Sequence, residues 1–436
     1  MGSLVLNDGM ASSASAPVFP RQGGVLHAEQ VPIPAIAAAV GTPTYVYCAN
    51  AIRMRYEQLT QAFAGVPHRI HFAMKANSNL AVLRLLHDMG AGVDIVSGGE
   101  LYRASEAGFP GRAVVFSGVG KTVREIEQAL EARVLLINVE SEAELVTIDA
   151  VAGRQGVVAP IAIRVNPEVT VGSPHAYIKT GEKGQKFGIP RDDVSRLVEM
   201  VRDLPHVALR GLGMHLGSQI GNAAPMRDAL PRLLAAIAAA RADGHAIAYM
   251  DVGGGLSVPY HHDDVRADLE DYAATVMAAA REAEVTLLLE PGRFLVAESG
   301  ALITEVLYRK HAAGKDFIVT DAGMNDLVRP ALYQAYHQID AVDAVTGTVV
   351  ADVVGPICES GDFFAHDRTM PDVTAGALLA VQTAGAYGYT MSSNYNSRPR
   401  PAEVLVDGDR FAVITERERL EDLVRLERAH LQWRTA

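Results

Sequence analysis

Residues 69–79 read Arg-Ile-His-Phe-Ala-Met-Lys-Ala-Asn-Ser-Asn. The apolar part has the length and composition of a short buried strand. The Asn and Ser residues that follow it are typical of the start of a helix. The sequence therefore predicts a strand–helix unit in which Lys75 stands at the point where the strand ends.

Short apolar runs continue to alternate with amphipathic helical patterns from about residue 50 to residue 300. Helical patterns such as Ala81–Met89 and Asp264–Ala283 separate the predicted strands. The eight strands are Ile70–Met74, Val93–Val96, Ala113–Phe116, Leu135–Val139, Ile161–Val165, Leu209–His215, Ile247–Val252 and Val285–Leu289. Eight such units predict an α/β fold, a (β/α)8 or TIM barrel over residues 50–299. An open doubly wound sheet is the alternative, although it usually has fewer units.

Residues 300–436 show strands separated by Gly and Asp turns, without helices between them, and so predict an all-β domain. We expect a charged amphipathic helix, Glu416–His430, to close the chain. Thr44–Tyr47 has the same β character. We therefore expect residues 25–49 to join this second domain and to make it discontinuous. Residues 1–24 are rich in Ser, Ala, Gly and Pro and predict a disordered tail rather than a signal peptide.

The composition excludes several classes of function. The chain has 436 residues, a net charge of −12 and a pI of about 5.6, which argues against nucleic acid as a partner. No segment is apolar for the length that a membrane span requires, because Arg232 and Arg241 interrupt the Ala-rich stretch 231–242. The two cysteines, Cys48 and Cys358, form no disulfide framework, so we expect a reducing compartment, the cytoplasm.

Chemically distinctive residues recur where the predicted barrel strands end, which is where barrels place their active sites. Lys75 there could be desolvated and act as an amine that forms a Schiff base with a carbonyl cofactor such as pyridoxal 5'-phosphate (PLP). Gly253-Gly254-Gly255 could approach a phosphate closely, and Glu290 could keep a ring nitrogen protonated. Taken singly, each has an ordinary structural alternative: a solvent-reaching lysine, a bare turn and a helix-capping carboxylate.

Other residues also allow both a role in the site and an ordinary structural role. His215 could lie against a ring or could be a core histidine. Arg293 and Arg329 could bind a substrate carboxylate or could pair with acids of the protein. Cys358 is followed by Glu359 and has no second ligand at metal spacing, so a proton donor fits better than zinc, and a structural cysteine is the alternative.

Together these residues resemble the fold-type III PLP decarboxylases, and among them the diaminopimelate decarboxylase branch. The resemblance extends over nearly the whole chain after the tail. The motifs that carry it are Phe72–Asn77, Asp94–Glu100, His175 through Gly188, His215–Gln219, Gly253–Gly255, Glu290–Arg293, Arg329–Tyr333, Cys358–Asp362, Ala386–Gly388 and Arg398–Pro401. Each motif is modest alone, but their order and spacing together are specific.

The resemblance implies PLP as cofactor and meso-2,6-diaminopimelate as the substrate, which would be converted to L-lysine and CO2. Cofactor contacts would come from Lys75, Asp94, His215, Ser218, Gly254, Gly255, Glu290, Gly292, Arg293 and Tyr387. Substrate contacts would come from Arg293, Arg329, Tyr333, Glu359 and Tyr387. The catalytic residues would be Lys75 and Cys358, the latter supplied by a second subunit of a homodimer with shared active sites.

Three other functions remain open at this point. A sister decarboxylase could act on ornithine, arginine, lysine or a carrier-linked amino acid, but those for basic amino acids tend to carry Cys-Asp where this chain has Cys358-Glu359. A racemase of the same barrel class would need a tyrosine base opposite the lysine. A non-catalytic PLP-binding protein would usually lack the lysine, the cysteine or the second domain.

Overall fold

The computed structural model of the chain describes residues 17–169, 184–261 and 263–427. It begins with three short antiparallel strands, β1 (Arg21–Gln22), β2 (Val25–Ala28) and β3 (Val31–Pro32). These are followed by α1 (Ile33–Val40), β4 (Thr44–Cys48) and α2 (Ala49–Ala62).

The predicted disordered tail is wrong for its last part, because Arg21 and Gln22 form β1. The guanidinium of Arg21 donates hydrogen bonds to the carbonyls of Ala341 and Val342, 2.6 and 2.9 Å away. These contacts cross more than 300 residues of sequence, so local composition could not indicate them. Residues 1–16 lie outside the described part of the chain.

A closed barrel of eight parallel strands follows, and the predicted fold class is confirmed. The strands are β5 (His68–Ala73), β6 (Gly92–Ile95), β7 (Val114–Phe116), β8 (Leu136–Val139), β9 (Ala159–Asn166), β11 (Val207–Gly213), β12 (Tyr249–Asp251) and β13 (Thr286–Leu289). The short β10 (Ile189–Pro190) lies beside β9. The barrel closes because β13 pairs with β5 and β8 pairs with β9. Each predicted strand is present, with ends shifted by at most two residues.

Helices surround the barrel. They are α3 (Leu80–Asp88), α4 (Gly98–Ala107), α5 (Val123–Ala132), α6 (Glu142–Gln155), α7 (Val194–Val201), α8 (Ala224–Ala242), α9 (Leu269–Glu282) and the short α10 (Arg293–Val296). Several begin where a side chain accepts a backbone N–H, as Asn79, Ser97 and Ser141 do. Within the described ranges, no helix has the length and apolar character needed to cross a bilayer.

The main core lies between the barrel strands and these helices. A small separate cluster, Val115, Leu136, Ala162 and Leu288, fills the inside of the barrel. The barrel is therefore packed rather than hollow, and the open space lies beyond the carboxyl ends of its strands.

The second domain consists of β14 (Gly300–Ala312), β15 (Lys315–Thr320), α11 (Arg329–Tyr333), β16 (Ile339–Ala341), β17 (Thr348–Val354), β18 (Phe363–Pro371), β19 (Leu378–Val381), β20 (Ala402–Asp407), β21 (Arg410–Thr415) and α12 (Leu420–Leu423). Its main sheet has the order β18-β17-β15-β14-β4-β20-β21. Because β4 lies between β14 and β20, this sheet is built from both ends of the chain. The exact domain bounds stay a prediction.

The closing helix is shorter than predicted. Of the expected Glu416–His430, only Leu420–Leu423 is α-helical among the described residues, and residues 428–436 lie outside them. The start of this segment is held against another part of the chain, because Glu418 exchanges backbone and side-chain hydrogen bonds with Arg400 and accepts one from Asn394. These contacts compete with helix formation over residues 416–419.

Candidate active site

Lys75 lies where the sequence predicts it, in a single helical turn (Met74–Ala76) directly after β5. Its Nζ is 2.8 Å from Oδ2 of Asp94, the residue next to the end of β6. Asp94 is buried, whereas the Lys75 side chain is 41% exposed toward the cavity at the barrel mouth. The other carboxylate oxygen of Asp94, Oδ1, is buried and has no hydrogen-bond partner among the described residues.

The desolvation expected at this position does not make Lys75 neutral in the cofactor-free protein. Burial alone would lower the pKa of Lys75, but Asp94, Tyr387 and Glu290 outweigh it and raise the pKa above its ordinary value. Asp94 therefore keeps the amine charged and aimed, and the amine must lose a proton before it can attack a carbonyl group.

A cavity of about 510 Å³ opens at the carboxyl ends of the strands. It is large enough for a cofactor and a small substrate. Nine of the residues predicted for the site line it: Lys75, Asp94, His215, Ser218, Glu290, Arg293, Arg329, Tyr333 and Tyr387. They come from barrel loops and from the second domain, so both domains are needed to form the cavity.

The predicted glycines lie behind this lining rather than in it. A methyl group on Gly254 would lie 2.1 Å from the carbonyl oxygen of Glu290, and one on Gly255 would lie 2.3 Å from that of Gly217. Gly255 also has a φ of +103°, which disfavours other residues. Gly292 packs against Ala73 and Ala76, on either side of the Lys75 turn. The glycines thus allow the backbone to pack closely around the end of the cavity.

His215 and Glu290 are both shifted toward their neutral forms. Burial, then Arg164 and Lys75, lower the pKa of His215 well below its usual value, and its Nδ1 accepts the N–H of Gly254 at 3.2 Å. Burial, then Asp251 and Asp94, raise the pKa of Glu290 well above its usual value. Burial also raises the pKa of Asp251, to about 6. Oδ2 of Asp251 is buried and has no hydrogen-bond partner among the described residues, so burial favours its protonated form.

Arg293 and Arg329 are both more than nine-tenths buried, yet neither has a carboxylate within salt-bridge distance among the described residues. Arg293 donates to the hydroxyl oxygens of Tyr260 and Ser218, at 2.5 and 3.2 Å. Arg329 donates to Nε2 of His337 at 2.9 Å. Among residues 17–169, 184–261 and 263–427, the alternative of protein ion pairs is therefore wrong for both, and two cations without a carboxylate partner face one cavity. Such a pair suits an anionic ligand.

Cys358 and Glu359 are not brought to this cavity by their own chain. They lie in an exposed turn between β17 and β18, and neither is among the residues that line the cavity. The N–H of Cys358 donates to Oδ1 of Asn396 at 2.8 Å, and the Tyr395 hydroxyl donates to Glu359 at 3.2 Å. The turn is thus held in place although it has no cavity contact.

Comparison with known proteins agrees with this geometry. Residues 49–297 match the family model described as the pyridoxal binding domain of pyridoxal-dependent decarboxylases. Diaminopimelate decarboxylase of Vibrio cholerae is 44% identical over 93% of this chain and 97% of its own length. That of Pseudomonas aeruginosa is 46% identical, with the same coverage of both proteins. The crystal structure of the Helicobacter pylori enzyme with L-lysine superposes with a TM-score of 0.88 at 40% identity, covering 91% of this chain and 99% of that one.

The chain belongs to the diaminopimelate decarboxylase family. It is therefore a PLP-dependent carboxy-lyase. The residues present fit that cofactor. The cavity is lined by an amine for the aldehyde of PLP and by a buried carboxyl that retains a proton for its ring nitrogen. Close-packed glycine backbone suited to its phosphate lies behind this lining.

Sequence reasoning missed two polar residues of the enzyme. Tyr260 contacts both buried arginines, and His337 binds Arg329. Neither stands at a strand end, and a single Tyr or His outside a motif gives no signal in one sequence. The indirect signal was the pair of arginines, because buried guanidinium groups require hydrogen-bond acceptors.

Proposed function

We propose that this enzyme decarboxylates meso-2,6-diaminopimelate to L-lysine and CO2, the last step of lysine biosynthesis. The observation that carries this proposal is the pair of buried arginines that have no carboxylate partner in the described part of the chain and that face the same cavity as Lys75. A substrate with a second carboxylate, away from the reacting end, compensates both charges. The identity of more than 40% to curated diaminopimelate decarboxylases supports the same substrate.

The chain's own residues divide the binding of PLP among them. Lys75 would hold its aldehyde carbon, with Asp94 orienting the amine. His215 would lie against the ring, Ser218 would contact the cofactor, and Glu290 would bind the ring nitrogen. The phosphate would be held by Gly254, Gly255, the backbone of Gly292 and Arg293, and Tyr387. When bound, PLP accepts the electron pair that the departing CO2 leaves behind.

The distal end of the substrate is bound by the second set of residues. Arg293, Arg329 and Tyr333 bind its carboxylate, and Tyr387 borders the same space. A substrate without that carboxylate leaves two buried cations unpaired, which penalises ornithine, arginine and lysine as substrates. The pocket thus selects its substrate in two ways: by shape, and by the free-energy cost of leaving the two arginines without a carboxylate.

Protonation requires a second copy of the chain. We assign Cys358 of the partner subunit as the proton donor after CO2 leaves and Glu359 of the partner subunit as the contact of the distal ammonium group. The exposed turn that carries them and its anchoring by Asn396 support this assignment. The functional unit is then a homodimer with shared active sites.

We also propose a cytoplasmic location. Both cysteines are unpaired in the structure, and a proton donor at Cys358 depends on its staying reduced.

The proposal is tested with the purified, PLP-loaded enzyme and a substrate panel of meso-diaminopimelate, ornithine, arginine and lysine, followed by CO2 release. We expect turnover of meso-diaminopimelate alone, and borohydride treatment should attach the cofactor to the peptide that contains Lys75. Preferred turnover of ornithine would contradict the substrate, and attachment at another lysine would contradict the site.

A further inference from the structure

Arg329 is held by a histidine. His337 is fully buried, and its Nε2 lies 2.9 Å from Nη1 of Arg329. Its other ring nitrogen, Nδ1, lies 2.8 Å from the carbonyl oxygen of Gln382. Because a carbonyl oxygen only accepts, Nδ1 carries the proton, and Nε2 presents a lone pair to the arginine. The ring is therefore neutral, in one tautomer.

Tyr260 completes the support of both arginines. Its hydroxyl accepts from Arg293 at 2.5 Å, and its ring lies 4.5 Å below the guanidinium of Arg329. The rings of His337 and Tyr260 pack edge to face, with centroids 5.2 Å apart and planes at 81°. The two cations are thus fixed by groups that carry no charge.

Neutral acceptors orient a guanidinium without cancelling its charge. A carboxylate in the place of His337 would hold Arg329 equally well, but it would compete with the substrate carboxylate for the same cation. A neutral acceptor such as His337 therefore suits a site that selects a dicarboxylic amino acid, because the full charge of the arginine remains available to the ligand.

We propose that His337 is the positioning residue that gives the enzyme its selectivity for a distal carboxylate, by fixing Arg329 while leaving it uncompensated. His337 does not touch the substrate and acts only through Arg329. This inference rests on the proposed function, which places the distal carboxylate at the arginines.

The test compares two nearly isosteric variants in the holoenzyme, His337→Gln and His337→Glu. L-lysine and cadaverine serve as probes, because they are alike except for the carboxylate that only L-lysine carries. Dissociation constants are measured by calorimetry, together with KM and kcat for meso-diaminopimelate. His245→Gln is the control, since the His245 side chain contacts the backbone carbonyl of Val198 and is not among the residues that line the cavity.

We expect His337→Gln to bind both probes nearly as the wild type does. His337→Glu should bind L-lysine about tenfold more weakly or worse, with cadaverine unaffected, because the added charge opposes only the carboxylate. KM for meso-diaminopimelate should rise in parallel while kcat changes little. His337→Phe, which removes the acceptor without adding charge, should also weaken L-lysine selectively, and it replaces His337→Glu if that variant does not fold.

Equal binding of L-lysine by the Gln and Glu variants would overturn the role of His337. Equal weakening of L-lysine and cadaverine would overturn it as well, because a general distortion of the cavity would then explain the loss. A wild-type enzyme that binds no L-lysine and leaves meso-diaminopimelate unchanged would instead refute the proposed function, and this inference with it.

Discussion

At the scale of single residues, Lys75 and Asp94 form an ion pair at the proposed point of cofactor attachment. Asp94 raises the pKa of the lysine, so most of the amine is protonated near neutral pH in the cofactor-free protein. Attack on an aldehyde requires the unprotonated amine. The carboxylate of Asp94 thus aligns the lysine amine, and because it favours the protonated form we expect it to slow attack on the aldehyde.

Asp94→Asn should therefore shift the pH profile of PLP attachment to lower pH. The substitution removes the charge that raises the pKa of Lys75 and leaves the shape of the side chain. The rate is measured by the absorbance of the lysine-bound cofactor after PLP is added to cofactor-free protein. Asp407→Asn, which breaks a surface pair with Arg53, is the control and should leave the profile in place. An unchanged profile for Asp94→Asn would count against this role.

Glu290 and Asp251 should make the cofactor-free protein less stable as pH rises. Both pKa values are raised in the folded state, to about 6 for Asp251, so the folded protein binds more protons than the unfolded chain above about pH 4. Their favourable contribution to stability is present at low pH and is lost as pH rises through the folded-state pKa values. Glu290→Gln removes part of this loss.

Melting temperatures of cofactor-free wild type and Glu290→Gln, measured between about pH 5 and pH 8, check this expectation. The melting temperature of the variant should rise relative to that of the wild type as pH increases. For Glu57→Gln, at an exposed position, the difference in melting temperature from the wild type should stay constant over this pH range. A melting temperature of Glu290→Gln that falls relative to that of the wild type as pH rises would mean that the carboxyl of Glu290 is not protonated in the folded state.

The residues that sequence reasoning found share one property: they are polar side chains or glycines in motifs at strand ends. Lys75, Glu290 and Arg293 stood out because an apolar run stopped beside them. The charge state of Lys75 could not be predicted, because it depends on Asp94, which is 19 residues away in sequence and 2.8 Å away in space. Sequence position alone gives no such distance.

At the scale of elements, the loop after β12 depends on glycine at position 254. Gly254→Ala should displace this loop, because the new methyl group would overlap the backbone oxygen of Glu290, which cannot move away as a side chain could. We expect PLP to be retained at least about tenfold less tightly, measured by the dissociation constant for the cofactor. Gly99→Ala, whose methyl group meets only Ser97 Oγ at 3.7 Å, is the control and should retain the cofactor normally.

A buried network joins the second domain to the segment that carries Lys75. Glu403 in β20 accepts hydrogen bonds from Tyr47, Thr415 and Asn79, at 2.7, 2.7 and 2.8 Å. Asn79 also accepts the N–H of Ala81 and so begins α3, four residues after Lys75. The second domain therefore fixes the start of the helix that follows Lys75.

Asn79→Ala should lower the free energy of unfolding by about 2–4 kcal/mol, from the lost helix cap and the lost donor to a buried carboxylate. Denaturant titration followed by circular dichroism measures it. Asn50→Ala removes an exposed hydrogen bond to Glu29 and should change stability by less than about 0.5 kcal/mol. Equal changes in the free energy of unfolding for the two substitutions would show that the buried network contributes little to stability.

Elements were predicted well where a repeating pattern defined them. The eight barrel strands and their helices followed from alternation, and β4 was assigned to the second sheet from its β character. By contrast, of the second-domain strands after residue 300, apolar runs in the sequence indicate β14, β15, β17, β19 and β20 but not β16, β18 and β21. β18 and β21 carry many exposed or charged residues, so their pairing with neighbouring strands, rather than their own composition, makes them strands.

At the scale of the whole molecule, the separation of Cys358 from the cavity predicts complementation between two inactive variants. Lys75→Ala and Cys358→Ala should each abolish most activity, since each loses one partner of every site. After mixing and subunit exchange, half of the dimers are mixed and hold one intact site each, so activity should recover to about a quarter of wild type. CO2 release from meso-diaminopimelate measures it.

The control is a mixture of Lys75→Ala with the double variant Lys75→Ala/Cys358→Ala, in which no intact site can form. Recovery in the first mixture alone supports shared sites. No recovery despite demonstrated subunit exchange would place the proton donor within the same chain as Lys75.

The central position of β4 has a consequence for synthesis. This strand leaves the ribosome before the barrel, but its neighbours β14 and β20 are translated only after the barrel is complete. At roughly 5–20 residues per second, β4 waits on the order of tens of seconds for a partner. A nascent chain that stalls in this interval carries a complete barrel with an unpaired apolar strand on its N-terminal side. An unpaired strand of this kind can pair with other chains and lead to aggregation.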